Sequence, residues 1–425
     1  MIGPARRAIS LSDLVRAWWF FLLAGCGASA GASPATLAPA REAILLVSID
    51  GFRADYLDRP NARNLRRLAT EGVRAQWLTP VFPSKTFPNH YTIVTGLYPE
   101  HHGIVSNAML DPVTGRRFRI TDTLAVRDSR WWGGEPIWVT AVKQGRKCAI
   151  FFWPGSEAAI EGVRPTQWKR YDARVPNATR VRQVLEWLSA PPAEAPSLVT
   201  LYLSDVDHAG HEYGPDAPQT DSAIARVDSA IGWLLSGLDQ RGLSSRVDLM
   251  VVSDHGMTSS GPDRTVFLDD YIHLNDVTIV DLSPVAALIP HSGRDAEVYR
   301  RLHGANAHLT VYRKSETPPG WHYRGNGRIP PILAVADEGW LISTHARRGS
   351  LALPGERGTH GYDPELPSMR ALFVARGPAF RSGATVPPFG NVHLYALMAH
   401  ILGLRPAPND GSLDSVRAVL RNPDK

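Results

Sequence analysis

The chain has 425 residues, 44% hydrophobic and 20% charged, which is enough apolar material to bury a large core and too much for a disordered polymer. Its formal charge is +5; Arg6, Arg7 and Arg16 less Asp13 supply +2 of this before the first apolar run, leaving +3 for the remainder. So mild an excess suits a small anionic ligand and excludes the strongly basic surface of a protein that forms a stable nucleic-acid complex.

Residues 1–25 read as an export signal, because the run Ala17-Trp18-Trp19-Phe20-Phe21-Leu22-Leu23 follows three arginines and is too short to span a bilayer. Leu23-Ala24-Gly25-Cys26 has the form of a bacterial lipoprotein processing site. It predicts a lipidated Cys26 as membrane tether, with residues 26–41 as a flexible leash of small residues. Ordinary cleavage near Ala28-Ser29-Ala30 is the alternative, and Arg6-Arg7 weakly suits a twin-arginine signal. Either way the protein is expected outside the cytoplasm, in the periplasm or at the outer membrane. Cys148 then has no disulfide partner, and its apolar neighbours Ala149, Ile150, Phe151 and Phe152 predict a buried thiol.

From Ala43 the pattern alternates strand and helix. Ala43 to Ile49 is a continuous apolar run, as in a strand covered on both faces, and it ends at Asp50-Gly51. Pro60 to Glu71 reads as a helix with Leu65, Leu68 and Ala69 on one face and Gly72 as its stop. Further strands are predicted at Cys148–Trp153, Ser197–Ser204, Asp248–Ser253 and Arg370–Ala375, and amphipathic helices at Thr179–Leu188 and Ser222–Leu238. The alternation predicts an α/β fold, a mostly parallel sheet with helices on both sides. Residues 42–405 form the main domain on this reading, and 406–425 a C-terminal tail. About 278–344 breaks the rhythm and reads as an insertion, with strands at Ala307–Tyr312 and Ile332–Ala336 and a helix near Ala296–Leu302.

Potential metal ligands gather at the strand ends. Asp50 ends the first strand, Asp207 and His211 follow the third in SDVDHAGH, and Asp254 and His255 follow the fourth in SDHGM. His360 stands between glycines in GTHGYDP, a loop able to deliver a ligand from far along the chain. A lone aspartate after a strand is usually a cap or turn former, and a histidine beside one proves little in a chain with 15 histidines. The coincidence of three such strand ends is what points to metal, since carboxylate and imidazole together suit zinc while tolerating manganese or iron. His90, His101, His102, His208 and His345 are read as structural or outer-shell groups. Thr86, in PSKTFPNHY, opens a predicted helix and offers a hydroxyl nucleophile, with Ser84 as the competing hydroxyl.

At these residues the chain resembles the nucleotide pyrophosphatase/phosphodiesterase family of the alkaline phosphatase superfamily. The matching pieces are VSIDGFRADYL, PVFPSKTFPNHYTIVTGLYPEHHGIVSNAM, FFWPGSE, DVDHAGHEYGP, SDHGM and GTHGYDP, in family order over about residues 43–375. The resemblance implies an alkaline phosphatase-like three-layer α/β/α sandwich with a small inserted α+β subdomain. It also implies two zinc ions per subunit: Asp50, Asp254 and His255 hold the ion that activates Thr86, and Asp207, His211 and His360 hold the other. Thr86 would attack phosphorus to give a covalent phosphothreonine, Asn107 would hydrogen-bond a phosphoryl oxygen, and Phe87, Tyr171 and Tyr202 would line the leaving-group pocket.

The expected substrate is a nucleotide diester or pyrophosphate. Lys85, as the neighbour of Thr86, points elsewhere on this reading, so no extra cation serves a monoester dianion. A choline-phospholipid phosphodiesterase on the same metal core is the rival, and a noncatalytic metal-binding surface protein is the alternative of another class. A sulfatase is excluded, because neither cysteine stands in a C-x-P-x-R context.

Overall fold

The computed structural model describes residues 43–347 and 357–422; the expected export signal, the expected tether and Cys26 lie outside these residues. In chain order the main strands are β1 (Ala43–Ile49), β2 (Val73–Ala75), β3 (Cys148–Phe151), β4 (Gln167–Lys169), β5 (Leu198–Leu203), β6 (Val247–Val252), β7 (Val277–Asp281), β8 (Val285–Pro290), β9 (Leu309–Arg313), β10 (Ile332–Ala336), β11 (Phe373–Arg376) and β12 (Ala384–Val386). The main helices are α1 (Arg63–Glu71), α2 (Thr86–Thr95), α3 (Ile137–Lys143), α4 (Asn177–Leu188), α5 (Asp205–Tyr213), α6 (Pro218–Gln240), α7 (Asp295–Leu302) and α8 (Leu394–Ile401).

Eight strands form one sheet in the order β12-β2-β11-β6-β1-β5-β3-β4. The run from β6 to β4 is parallel throughout, whereas β11 runs antiparallel to both β6 and β2. Alternation along β1 divides the interior. Ile44 and Leu46 join a core shared with α2, α3 and α8, while Leu45, Val47 and Ile49 join one shared with α1, α4 and α6. Both faces of the sheet are therefore covered, which gives the three-layer sandwich and explains why β1 is buried at every position and apolar at all but Ser48.

Some boundaries differ from the sequence expectation for physical reasons. Helix α1 begins at Arg63 rather than Pro60, because the buried Asp228 carboxylate on α6 accepts from the backbone amides of Asn64 (3.0 Å) and Leu65 (2.9 Å) and so fixes the start. The strand expected at Arg370–Ala375 is Phe373–Arg376, since Ala371 is spent on bridges to Arg53 and Leu78 before the chain enters the sheet.

The insertion is a four-stranded antiparallel sheet, β7-β8-β10-β9, with α7 against one face. Val285, Ala287, Leu333 and Val335 on the other face pack into the main core, so the subdomain is held rigidly against the sandwich. Its excursion starts earlier than residue 278, because Thr265–Phe267 pairs in parallel with Leu341–Ser343 and closes the neck. The segment after Arg405 is no loose tail over its described length: Val416, Val419 and Leu420 are buried, and the Arg421 amide donates to the Ala379 carbonyl at 2.8 Å. The Cys148 thiol is buried as expected, and burial pushes it up to about 12.

Candidate active site

The parallel strands deliver the acidic groups to one edge of the sheet. Asp50 follows β1, and Gly51 beside it adopts φ +67°; a Cβ there would sit 2.9 Å from the Asp207 backbone, so the close approach of the β1 and α5 segments requires glycine. Asp207 and His211 lie in the helix α5, four residues apart on one face. Asp254 and His255 follow β6. Gly256 is needed there less for an unusual bend than for space, because a Cβ would meet the Ser368 carbonyl oxygen at 2.0 Å.

The six side chains form two groups of three, Asp50, Asp254 and His255 in one and Asp207, His211 and His360 in the other, with the ligand atoms of each group within 4.8 Å of one another. The groups touch: the His255 and His360 rings stack with centroids 3.6 Å apart. In all three histidines Nδ1 lies against a backbone carbonyl, at 2.9 Å from Gly256 for His255, 2.9 Å from Gly358 for His211 and 2.7 Å from Ser84 for His360. Donation from Nδ1 leaves an Nε2 lone pair facing the carboxylates, the usual arrangement of a metal-ligating imidazole. His255 Nε2 thus lies 2.9 Å from Asp254 Oδ2, and His211 Nε2 lies 3.4 Å from Asp207 Oδ1, pairs that a proton or a cation joins.

That arrangement tests whether cations fit. Asp50 Oδ1, Asp207 Oδ1 and Asp254 Oδ2 are buried without a well-formed hydrogen bond. Three such oxygens converging are costly unless positive charge joins them. Asp50 feels this directly: burial first, then the Asp254 and Asp207 charges, hold its carboxyl well above the ordinary range. Burial pushes Asp254 the same way, yet His255 and His90 outweigh it and hold that carboxyl well below its usual value. His360 is kept neutral by burial, reinforced by His255 and His211. The donor set of three carboxylates and three imidazoles suits zinc and tolerates manganese or iron.

Thr86 is the first residue of α2, and its Oγ1 lies 3.3 Å from His255 Nε2, which puts the hydroxyl beside the Asp50, Asp254 and His255 group. Ser84 is not in competition, because its buried hydroxyl donates to the Tyr362 carbonyl at 2.8 Å. At the start of α2 the Phe87 amide donates to Asn107 Oδ1 at 3.0 Å. That bond orients Asn107 and leaves its Nδ2 hydrogens to donate elsewhere. Phe87 is half-buried against Phe118 and Trp132, while Tyr171 is 47% exposed and open to a ligand. Tyr202 lines a cleft beside the site together with Tyr171 and also braces the ligands, since its hydroxyl donates to Asp50 Oδ2 and its ring packs on His90 and Tyr171.

His90, read from the sequence as a structural or outer-shell group, supports the site from behind: its Nδ1 lies 2.9 Å from the Thr86 carbonyl and 3.2 Å from Asp254 Oδ2. One supporting residue escaped the sequence reading. Asp281, on β7 of the insertion, accepts from Lys85 Nζ at 2.7 Å, and no local pattern announces it.

Residues 44–363 match the family described as type I phosphodiesterase/nucleotide pyrophosphatase. The chain is 39% identical over 91% of its length to human ectonucleotide pyrophosphatase/phosphodiesterase family member 5, covering 80% of that protein. It is 40% identical over 89% of its length to the bis(5'-adenosyl)-triphosphatase of Xenopus laevis, covering 82% of it. Among solved structures, murine ectonucleotide pyrophosphatase/phosphodiesterase 5, as an inactive threonine-to-alanine variant in complex with AMP, superposes with a TM-score of 0.84 at 39% identity, over 89% of this chain and 100% of that one. The chain belongs to the type I phosphodiesterase/nucleotide pyrophosphatase family, whose members hydrolyse phosphodiester and pyrophosphate bonds.

Proposed function

We propose that this chain is an exported two-zinc phosphodiesterase that cleaves nucleotide diester or pyrophosphate bonds through a covalent phosphothreonine at Thr86. The observation that carries the reading is the meeting of two three-residue ligand groups beside one hydroxyl. Cations held by Asp50, Asp254 and His255 and by Asp207, His211 and His360 supply charge to a phosphoryl group and lower the pKa of an adjacent hydroxyl or water.

The chain's own groups do the rest. Thr86 Oγ1 attacks phosphorus, the bond to the leaving oxygen breaks, and the hydroxyl proton passes to solvent. Asn107, held by the Phe87 amide, directs Nδ2 to a nonbridging oxygen. Phe87 and Tyr171 offer aromatic faces to a nucleotide base, and water then hydrolyses the phosphothreonine. Tyr202 and His90 hold Asp50 and Asp254 in place. The murine relative's inactive threonine-to-alanine variant with AMP, and the relatives named as bis(5'-adenosyl)-triphosphatases, support this reading. A diester is favoured over a monoester because Lys85, the cation adjacent to Thr86, is committed to Asp281.

Rates on ATP, diadenosine triphosphate, a nucleotide sugar, a choline phosphodiester and a simple phosphomonoester test the reading. Nucleotide substrates should lead by at least tenfold; a leading choline ester would replace the nucleotide reading with the lipid one. Attachment of the mature protein to a membrane through lipidated Cys26 rests on the sequence alone. Mass spectrometry of the exported protein should find an acylated N-terminus at Cys26, and an N-terminus beyond it would refute the tether.

A further inference from the structure

A cleft of about 1020 Å³ opens from the edge of the site, sharing Tyr171, Tyr202 and Asp207 with it and reaching well beyond the groups described so far. Asp207 and Tyr202 form its inner wall, and it extends outward past Arg174, Arg226, Tyr213 and Trp233. Thr86, Phe87 and Asn107 do not line it. The cleft therefore meets the ligand group that holds Asp207, whereas the Thr86 hydroxyl lies against His255 of the other group.

In-line displacement at phosphorus sends the leaving oxygen opposite the attacking one. With Thr86 beside His255, the departing half of a substrate passes Asp207 and enters this cleft. Its lining suits that role. Ser222, Arg226, Ser229 and Trp233 recur along α6 at the spacing of one helical face, and all four line the cleft. The large aliphatic side chains of α6, among them Ile224, Val227, Ile231, Leu234, Leu235 and Leu238, are buried, whereas the Trp233 indole is 51% exposed and so offers a face for stacking. Arg226 presents a half-exposed guanidinium, only loosely held by Asp205 at 3.5 Å, and Arg174 stands at the rim paired with Asp172. The volume matches the roughly 300–1,000 Å³ of sites for ligands of nucleotide size.

We propose that this cleft is a leaving-group subsite that takes the second nucleotide of a dinucleoside polyphosphate, its base on Trp233 and its phosphates toward Arg226. The inference rests on the phosphodiesterase reading and deepens it. In the step concerned, Thr86 Oγ forms a bond to phosphorus, the bridging P–O bond breaks, and its electron pair leaves with the terminal oxygen of the departing nucleoside diphosphate.

Two substrates that share the retained AMP half separate the roles: diadenosine triphosphate, which expels ADP, and ATP, which expels pyrophosphate without a base. Trp233→Ala should raise KM for diadenosine triphosphate roughly tenfold, as loss of one base stack would, and change ATP less than twofold. Trp233→Phe should restore most of the difference, and Arg226→Ala should raise KM for both substrates. Equal effects of Trp233→Ala on the two substrates, or no effect on either, overturn the subsite while leaving the hydrolase reading intact. A wild-type protein that cleaves neither overturns both.

Discussion

The Lys85 ammonium lies 2.7 Å from the Asp281 carboxylate, and both side chains are largely buried, at 7% and 16% exposure. The same carboxylate oxygen accepts the Ser106 hydroxyl at 2.5 Å, while the other accepts the Leu282 amide at 2.9 Å. One aspartate of the inserted sheet thus ties down the residue before Thr86 and the residue before Asn107. Removing it strands a buried ammonium and loosens both chain segments at once. Asp281→Ala should lower kcat roughly 10- to 100-fold with bound metal unchanged, the scale expected when a reacting group is displaced by about 1 Å. Parallel kcat measurements and metal analysis check this; wild-type kcat would mean the clamp does not position the hydroxyl.

Thr86→Ala removes the proposed nucleophile but none of the six carboxylate and imidazole ligands. Turnover should drop by several orders of magnitude, as for other lost nucleophiles, while metal content stays near wild type. Since Ser84 already donates to the Tyr362 carbonyl, it is poorly placed to substitute. Mass spectrometry of wild type quenched during turnover should find a phosphoryl or nucleotidyl adduct on Thr86, and an adduct elsewhere would reassign the role.

The parallel strands, the helices and the six convergent ligands were legible because each leaves a local trace: an apolar run closed by an acidic residue, or helical spacing of aliphatic residues. Long-range partners leave none. Asp281 lies 196 residues from Lys85, and nothing in the sequence around Asp281 distinguishes it from a turn aspartate. The Tyr202 hydroxyl reaches Asp50 only because β5 pairs with β1 in a register that sets Tyr202 opposite Ser48. The antiparallel course of β11 was equally hidden, because strand composition does not encode direction when both faces are covered.

Chelation should expose the electrostatic conflict among Asp50, Asp207 and Asp254. Burial and its two neighbours raise the Asp50 carboxyl in the absence of cations, so the ionised form destabilises the metal-free fold. Treatment with a chelator should abolish activity and lower Tm, and added zinc should restore both. In Asp50→Asn the conflict is relieved, so the variant should lose less Tm on chelation than wild type while remaining inactive. A variant with the wild-type drop would show that like-charge repulsion is not what the ions offset.

His102 supplies a pH dependence away from the ligands. Its ring is fully buried; Nδ1 accepts the Ile104 amide at 3.1 Å and Nε2 donates to Thr92 Oγ1 at 3.0 Å, an arrangement that only the neutral ring satisfies. Burial lowers it from 6.5 to about 3, overriding weaker hydrogen-bond effects. The unfolded chain therefore takes up a proton below pH 6.5 that the folded chain refuses until about pH 3, so stability present above pH 6.5 is lost as pH falls through that window. The loss should approach roughly 1 kcal/mol per pH unit from this one group. His102→Gln keeps a donor and an acceptor without the titration. Denaturant unfolding of both proteins across the range from pH 7 to 4 should show a shallower decline for the variant by about that slope. Parallel declines would mean that the His102 ring is protonated inside the fold.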